Sequence, residues 1–405
     1  MNSPKLVSAF IARNPLTWAF HVLMLSIGVA IVLSVLLFSR AIDDRLTRDL
    51  AGVDLVVGAK GSPTQLILST LFATDIPTGN IPLSAAEQIS KSPLVRESVT
   101  LSLGDNISGY RIVGTQPKYA SFYRATLDQG QFWTAPFEVV VGADAAHVLK
   151  LSVGSKFVGQ HGLTGGGETH DEFPYLVVGI LKPTGAAIDR LVLTDPQSVW
   201  RIHEHEAVEI AEESGQPAGP SRPREVTALL IRYKSAMGAL MMPRQIVAMP
   251  DLQGAIPAQE AARMTALTGT GTDVLRWLGL GLLAISALGF CIALANAVHQ
   301  RRGELALLRV LGIAPLSLVG IVVLEALMLG VLAGGLGVAI GRTMTWLGST
   351  AIAQNGGIML KAPQLGLLDV MAVGVAIALS FLAALIPAAL AYRTDPAQAL
   401  KGDIG

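Results

Sequence analysis

The sequence predicts a membrane α-helical fold with four transmembrane helices and a large mixed α/β extracytoplasmic domain between helices 1 and 2. Three observations support this prediction. The 405 residues are 51% hydrophobic and 15% charged, and the mean hydropathy of +0.52 is higher than soluble chains usually have. Four long apolar runs are present, and residues 40–276, of mixed polarity, separate the first run from the other three.

The four apolar runs are long enough to cross a bilayer as helices. A hydrocarbon core of about 30 Å needs about 20 apolar residues in a helix, because every backbone polar group there must be bonded internally. The predicted spans are residues 18–39, 277–298, 316–342 and 367–392.

The first span has an alternative interpretation as a cleaved signal peptide. Lys5 and Arg13 precede it, and Ser39-Arg40-Ala41 loosely fits a small-residue cleavage site. The apolar core of a signal peptide is about 7 to 15 residues long. The uncharged run here is longer, which favours an uncleaved anchor.

Basic residues close to the spans predict the topology. The N-terminal segment 1–17, the loop 299–315 and the tail 393–405 each carry Lys or Arg near a span. By the positive-inside rule these three segments are cytoplasmic, with both termini inside. Residues 40–276 hold 21 basic and 25 acidic residues, which fits a translocated domain, and the short loop 343–366 is then also outside.

The extracytoplasmic domain shows both strand and helix patterns. A helix is predicted from Ser84, with Glu87 at capping-box spacing, and another from Gln197 to Ala211. The charged segments next to the spans, 40–50 and 257–276, are predicted to form a stalk. Short apolar runs bounded by Gly, Pro and Asp predict strands at Asp54–Val57, Arg111–Val113, Glu138–Val141, Tyr175–Ile180, Leu191–Leu193 and Thr227–Arg232.

Composition and motifs exclude several classes of function. Thirty basic residues balance thirty acidic ones, whereas a nucleic-acid partner would leave a basic excess. The single cysteine, Cys291, permits no intramolecular disulfide. The chain contains no Gly-x-x-x-x-Gly-Lys-Ser/Thr, no Gly-x-Ser-x-Gly and no His-Glu-x-x-His, so it has no P-loop and no hydrolase signature. We therefore predict no catalytic residue and no enzymatic activity in this chain.

The loop from Gln300 to Gly312 is the most informative stretch. It predicts a short helix between two spans that presents Glu304, Leu308, Arg309 and Leu311, with Gly312 ending it. Such a helix offers charged and apolar contacts to a cytoplasmic partner. The alternative is a charged connector that merely obeys the positive-inside rule.

This loop resembles the cytoplasmic segment of the FtsX/MacB/LolC superfamily of ABC permeases. The resemblance extends through the third span, with Glu325 and the glycine series that ends at Gly341, and through the ending Pro387–Leu400. Residues Asp54 to Pro63 resemble the start of that superfamily's external domain. The order of one span, a large external domain and three further spans covers the whole chain.

The resemblance implies a permease subunit in the bacterial inner membrane, working as a dimer with a second copy and with a separate cytoplasmic ATPase dimer. ATP and Mg would be bound by that ATPase, and this chain would need no cofactor. Nucleotide-driven motion would reach the external domain, which handles a hydrophobic or amphiphilic cargo such as a lipoprotein, lipid, peptide or drug. The residues that would couple to the ATPase are Arg301, Arg302, Glu304, Leu308, Arg309 and Gly312.

Two other functions remain open. The chain is alternatively a mechanotransmission protein that transports nothing and regulates a periplasmic protein partner. In a third hypothesis the permease is linked to zinc, because the Gly-rich run after His161 could fold that residue back towards His170 and Asp171, which are suitable zinc ligands. The alternative for these residues is a solvated surface loop.

Glu325 is the acidic residue inside the third span. An acid at the centre of a span costs about 2.5 to 3.5 kcal/mol on insertion scales. We therefore expect Glu325 to face protein or water, most simply through a hydrogen bond to a neighbouring span or to the dimer mate.

Overall fold

The structure, a computed structural model, describes residues 15–50, 52–160, 172–213, 223–354 and 364–392. These residues fall into two compact units. One comprises the described residues of Met1–Asp43 and Leu267–Gly405, and the other those of Asp44–Ala266.

Helices and strands alternate between two long-helix regions at the ends of the chain. In chain order the elements are α1 (Pro15–Leu50), β1 (Leu55–Ala59), α2 (Pro63–Thr70), β2 (Ile81–Pro82), α3 (Leu83–Ser90), β3 (Val95–Ile107), β4 (Tyr110–Gly114), α4 (Tyr119–Phe122), β5 (Leu127–Gly130), β6 (Glu138–Val141), α5 (Ala143–Leu149), β7 (Lys156–Phe157), β8 (Tyr175–Leu181), a 3₁₀ turn (Ala187–Arg190), β9 (Val192–Thr194), α6 (Pro196–Glu213), β10 (Glu225–Val226), β11 (Ala228–Tyr233), α7 (Ala236–Val247), β12 (Leu252–Ala255), α8 (Pro257–Gln300), α9 (Arg302–Val310), α10 (Pro315–Gln354) and α11 (Leu367–Tyr392).

Four helices are long and apolar enough to cross a membrane. They are Pro15–Leu50, Gly271–Gln300 within α8, Pro315–Ile352 within α10, and Leu367–Tyr392. Together with the α/β unit between the first and second of them, they confirm the predicted fold class. Helix α10 continues to Gln354, past the predicted end of its span at residue 342, because no proline interrupts residues 343–354.

The helical unit is held together by small and apolar side chains. Helices α10 and α11 approach closely at Gly330 and Gly334, where a Cβ on Gly334 would lie 3.0 Å from the Cα of Val373. Small residues permit such close packing where lipid supplies no hydrophobic driving force between helices. The buried cluster at its centre contains Trp18, Leu25, Val29, Leu283, Phe290, Leu294, Ala326, Leu329, Ala333, Ala376 and Ala384.

The second unit is built on one mixed sheet. Among the described residues ten strands form it, in the order β12-β1-β11-β3-β4-β9-β6-β8-β5, with β7 paired to β8. The pairs β4–β9 and β6–β8 are parallel, and the other pairs in the sheet are antiparallel. All six strands predicted from the sequence are present, with Glu138–Val141 found at its predicted bounds.

Two apolar cores flank different parts of this sheet. One gathers side chains of β1, β11, β12, α3 and α7, including Val57, Ile231 and Met242. The other lies against β6 and β8, with Val139 and Tyr175 among its members. The domain therefore has ample apolar core of its own.

The predicted capping box at Ser84 is wrong. The helix begins one residue earlier, at Leu83, and Pro82 at its N-cap makes no side-chain cap hydrogen bond. The Leu83 N–H instead donates to the Arg224 carbonyl oxygen at 2.9 Å. A tertiary backbone bond thus replaces the local side-chain cap, which no sequence pattern near Ser84 reveals.

Candidate functional site

Helix α9 is a short helix with a defined end. The Gly312 N–H donates to the Arg309 carbonyl at 3.0 Å and the Ile313 N–H donates to the Leu308 carbonyl at 3.1 Å. Gly312 has a φ of +92°, a left-handed conformation that glycine adopts without a steric penalty. This is a Schellman motif, and it confirms the prediction that Gly312 ends the helix.

One face of α9 is fixed to the helical unit. Leu305 and Ala306 are buried, and Leu305 belongs to an apolar cluster with Leu318 and Val322 of α10. Leu308 packs against the same cluster. The predicted contact residue Leu308 therefore helps to seat α9 on α10.

The other face of α9 exposes large apolar side chains. Leu307 is 54% exposed, Val310 60% and Leu311 72%. Arg302 is also exposed, whereas Glu304 and Arg309 are half-buried. Leu307 and Val310 were missed by the sequence prediction, although the 3.6-residue period places them opposite Leu305.

An ion pair joins the start of α9 to α10. Arg301 Nη1 lies 3.0 Å from Glu325 Oε1, with side chains 15% and 4% exposed. The Arg301 guanidinium also lies 5.4 Å from the ring centre of Trp18 in α1, within the range of a cation–π interaction. Glu325 thus faces protein, as predicted, and its partner is one of the predicted coupling residues.

A small cavity adjoins this ion pair. Its volume is about 10 Å³, which is about the space that one water molecule needs. Apolar side chains of α8 and α10 surround the two charged groups in its wall. The pair therefore sits in a low-dielectric setting, where the loss of either partner would leave a buried charge.

A second ion pair links α10 to α11 and was missed by the sequence prediction. Arg342 Nε donates to Asp369 Oδ1 at 2.8 Å, and Arg342 Nη2 donates to Asp369 Oδ2 at 2.6 Å. This bidentate geometry fixes the two side chains relative to each other. Arg342 and Glu325 are 17 positions apart, roughly 25 Å along a helix at 1.5 Å per residue, so α10 carries an ion pair near each end of its apolar run.

The sequence predicts three zinc ligands after Gln160. His161, His170 and Asp171 lie outside the described residues. Within the described ranges, no group of three or more His, Cys, Asp or Glu side chains has an arrangement suited to a metal ion. Among the described residues, His205 Nε2 lies 3.4 Å from Glu172 Oε2 on the surface.

Two families match the sequence, and together they account for most of the chain. The sequence model of the MacB-like periplasmic core domain matches residues 19–236. The model of the FtsX-like permease C-terminal matches residues 277–396, the range that contains α9 and both ion pairs. None of the curated proteins matches the sequence.

Solved structures similar to the chain include two extracytoplasmic domains. The periplasmic region of MacB from Actinobacillus actinomycetemcomitans has a TM-score of 0.35 and 11% identity, and the match covers 54% of this chain and 95% of that one. The extracellular domain of the noncanonic ABC-type transporter YknZ from Gram-positive bacteria has a TM-score of 0.28 and 10% identity, with coverage of 49% and 98%.

The chain is thus a multi-pass membrane protein with an extracellular domain, four apolar helices and a permease C-terminal region. The MacB-like match spans more than half of its residues, and the FtsX-like match covers the remaining three apolar helices. The protein belongs to the FtsX/MacB-like family of ABC transporter permeases.

Proposed function

We propose that this chain passes the motion of a separate cytoplasmic ATPase dimer to its own extracytoplasmic domain. Permeases of this family are components of ABC transporters in which ATP hydrolysis occurs in another subunit. The observation that carries the proposal is the exposed apolar face of α9, formed by Leu307, Val310 and Leu311. An exposed apolar cluster on a helix between two spans is typical of a protein-binding surface.

The contacts that fix α9 to α10 support a role in coupling. Leu305 packs on α10, and Arg301 at its N-cap is paired with Glu325 of α10. A displacement of α9 by a bound partner is therefore passed directly to α10, because packed elements move as rigid bodies rather than deform. Arg302, Glu304 and Arg309 supply the charges that give the contact its orientation.

We further propose that the chain works as a homodimer in the bacterial inner membrane. Segments 1–17, 299–315 and 393–405 are cytoplasmic, and segments 40–276 and 343–366 lie outside. The cargo is hydrophobic or amphiphilic, such as a lipoprotein, lipid, peptide or drug, and is handled by the external domain. Basic residues next to the spans support this orientation.

The test is affinity purification of the tagged chain in mild detergent, with an ATPase assay on the product. We expect a soluble ATPase in near-equal amount. Replacing Leu307→Ser together with Val310→Ser should lower its recovery about tenfold, since central apolar contacts dominate such interfaces. The matched control is Leu336→Ala, which changes a leucine of α10 that is 41% exposed and lies outside α9.

A second arm of the same experiment addresses coupling. Glu304→Ala and Arg309→Ala should leave membrane insertion and ATPase recovery intact but reduce the stimulation of hydrolysis by cargo.

Two outcomes would change the proposal. If the Leu307→Ser/Val310→Ser variant and Leu336→Ala recover equal amounts of the ATPase, docking on α9 is refuted. Stimulation by an added extracytoplasmic protein, and by no amphiphile, would favour a transmitter over a transporter.

A further inference from the structure

The start of helix α9 is held by α1 as well as by α10. Trp18 of α1 is 3% exposed, and Cζ of Arg301, the N-cap residue of α9, lies 5.4 Å from the centre of its ring. The His21 ring packs edge-on against the Trp18 ring, with 5.7 Å between ring centres, and against the Phe290 ring of α8 at 6.2 Å. Arg301 therefore bridges α1 and its ion-pair partner in α10, Glu325.

Helix α1 also packs closely on α10 further along both helices. A Cβ on Gly337 of α10 would lie 2.9 Å from the Cβ of Val29, and a Cβ on Gly341 would lie 2.9 Å from the carbonyl oxygen of Ala30. Approaches this close leave no room for a larger residue at either glycine. Because close-packed elements move together rather than deform, a displacement of α10 also displaces α1.

The other end of α1 is built into the extracellular unit, to which its last two turns belong. Arg45 Nε lies 2.8 Å from Asp49 Oδ2, with side chains 7% and 1% exposed. Arg45 Nη1 and Arg48 Nε both donate to the Gly185 carbonyl oxygen, at 3.4 Å and 3.2 Å. The Gly185 N–H in turn donates to Asp189 Oδ2 at 2.7 Å. This end of α1 is therefore fixed to a loop that has its own internal hydrogen bonds.

Between these two fixed ends α1 is an unbroken helix. It runs from Pro15 to Leu50, and residues 29–51 contain neither glycine nor proline, the two residues that weaken a helix most. Helices without such residues bend only gently. We therefore expect a displacement imposed at Trp18 to reach the extracellular end of the same helix.

Helix α8 has a weak segment where α1 has none. Residues 268–272 read Thr-Gly-Thr-Gly-Thr, within two residues of the division between the two compact units. Among the described residues, a Cβ at Gly269 or Gly271 would meet nothing within 4 Å, so close packing does not require glycine at either position. Thr272 Oγ1 donates to the Gly269 carbonyl oxygen at 2.9 Å, a local bond of the kind that often bends helices. Helix α8 therefore bends most readily at this segment.

We propose that movement of α9 reaches the extracellular unit through α1, with Trp18 as the positioning residue that ties α1 to Arg301, while α8 bends at Gly269 and Gly271. The inference rests on the coupling proposed for α9 and names the helix that carries it. Helix α8 is the alternative, because it is joined to α9 through the chain itself. A helix that bends at a glycine segment absorbs a displacement, whereas the glycine-free part of α1 passes it on.

The experiment measures movement of the extracellular unit in the full chain, copurified with its ATPase in mild detergent. In a Cys291→Ser background, cysteines carrying nitroxide labels replace Glu87, an exposed residue of α3, and Leu347 of α10, which is 53% exposed. The distance distribution between the labels should change when ATP and orthovanadate are added. Trp18→Leu should shrink this change about fivefold, because leucine has no π face for Arg301, and Trp18→Phe should retain most of it. Recovery of the ATPase should be equal in all three chains.

Two glycine pairs decide between α1 and α8. Asp43→Gly/Asp44→Gly, at exposed residues, introduces a weak point into α1 at the division between the two units. It should also shrink the distance change about fivefold, because glycine lowers the stability of a helix. The matched control is Thr265→Gly/Ala266→Gly, an adjacent exposed pair of α8 at the same division. This control should leave the change intact, since α8 already bends there.

Three outcomes would overturn the inference. A distance change in Trp18→Leu as large as in the parent chain would show that α1 takes up no movement at Arg301. Loss of the change in Thr265→Gly/Ala266→Gly, with Asp43→Gly/Asp44→Gly unaffected, would assign the movement to α8. No change in the parent chain, with the ATPase recovered, would contradict the coupling proposed for α9 itself and this inference with it.

Discussion

Single charged side chains fix the ends of helices and strands in this protein, through an ion pair or through hydrogen bonds to backbone N–H groups. The Arg301–Glu325 pair is buried in the helical unit, and a buried pair contributes geometry more reliably than net stability. In the extracellular domain the Glu138 carboxylate accepts hydrogen bonds from the Thr134 N–H at 2.7 Å and the Ala135 N–H at 3.1 Å. Both carboxylates can be tested by substitution.

Arg301→Met should destabilise the helical unit strongly, by about 3 to 5 kcal/mol, because Glu325 would remain buried without its counter-charge. The double variant Arg301→Met/Glu325→Leu should recover much of that loss. Thermal unfolding in one fixed detergent measures both effects. The control is Arg302→Met at the neighbouring exposed position, and a cost for Arg301→Met no larger than this control would contradict the buried-charge argument.

Glu138 should make the extracellular domain sensitive to acid. The Thr134 N–H, with further donors from Ala135 and the Thr134 hydroxyl, lowers the pKa of the Glu138 carboxyl below its ordinary 4.5. A lowered pKa in the folded state stabilises the domain above the unfolded pKa, and that stabilisation is lost as the pH falls through the folded value.

Glu138→Gln should therefore reduce stability at neutral pH and flatten its pH dependence below the ordinary glutamate pKa of 4.5. Tryptophan fluorescence during urea unfolding reports this change, since Trp133 is buried next to Thr134. Asp128→Asn, at an exposed residue of β5, serves as the control. Parallel pH profiles of Glu138→Gln and the parent protein would disprove the assignment.

At the scale of elements, close packing of α10 on α11 depends on glycine at particular turns. A Cβ at Gly334 would meet the Val373 Cα at 3.0 Å and the Ala376 Cβ at 3.2 Å. At Gly335 the Cβ would meet nothing within 4 Å. Two adjacent glycines of one helix thus have opposite environments.

Gly334→Ala should cost about 1 to 3 kcal/mol, because the added methyl group meets backbone of α11 that must shift. Gly335→Ala should be neutral or stabilising by up to about 1 kcal/mol, the difference in helix propensity between alanine and glycine. Thermal unfolding of the two variants in the same detergent is the measurement. Equal effects at the two positions would mean that the α10–α11 packing is different from that described.

At the scale of the whole molecule, the two compact units differ in their surroundings. The extracellular unit lies in water, and the helices of the other unit lie in lipid. The extracellular unit has its own sheet and two apolar cores, and is stabilised by burial from water. The helices of the other unit keep all their backbone bonds within each span. Denaturant that acts through water should therefore affect the units unequally.

Urea should unfold the extracellular unit before the helical unit in detergent-solubilised protein. A variant with Trp18, Trp277 and Trp346 replaced by Phe retains only Trp133 and Trp200, both in the extracellular unit. Its fluorescence transition should precede the loss of helical circular dichroism. A single coincident transition in both signals would show that the two units unfold together.

The sequence by itself determined the four spans, the mixed α/β character of the domain and the helix that ends at Gly312. These features depend on local properties: the length of an apolar run, strand-forming residues between turn residues, and the left-handed conformation that glycine permits. It also predicted that Glu325 faces protein or water rather than lipid, since an acid in lipid is costly.

Tertiary structure alone decided which groups meet. Arg301 and Glu325 are 24 positions apart, and Arg342 and Asp369 are 27 apart, distances at which no periodicity links two side chains. The exposed face of α9 likewise emerged only from packing, because an apolar run does not reveal which of its residues the core will cover. Pairing and exposure are properties of three-dimensional contact, and for that reason the sequence alone left them open.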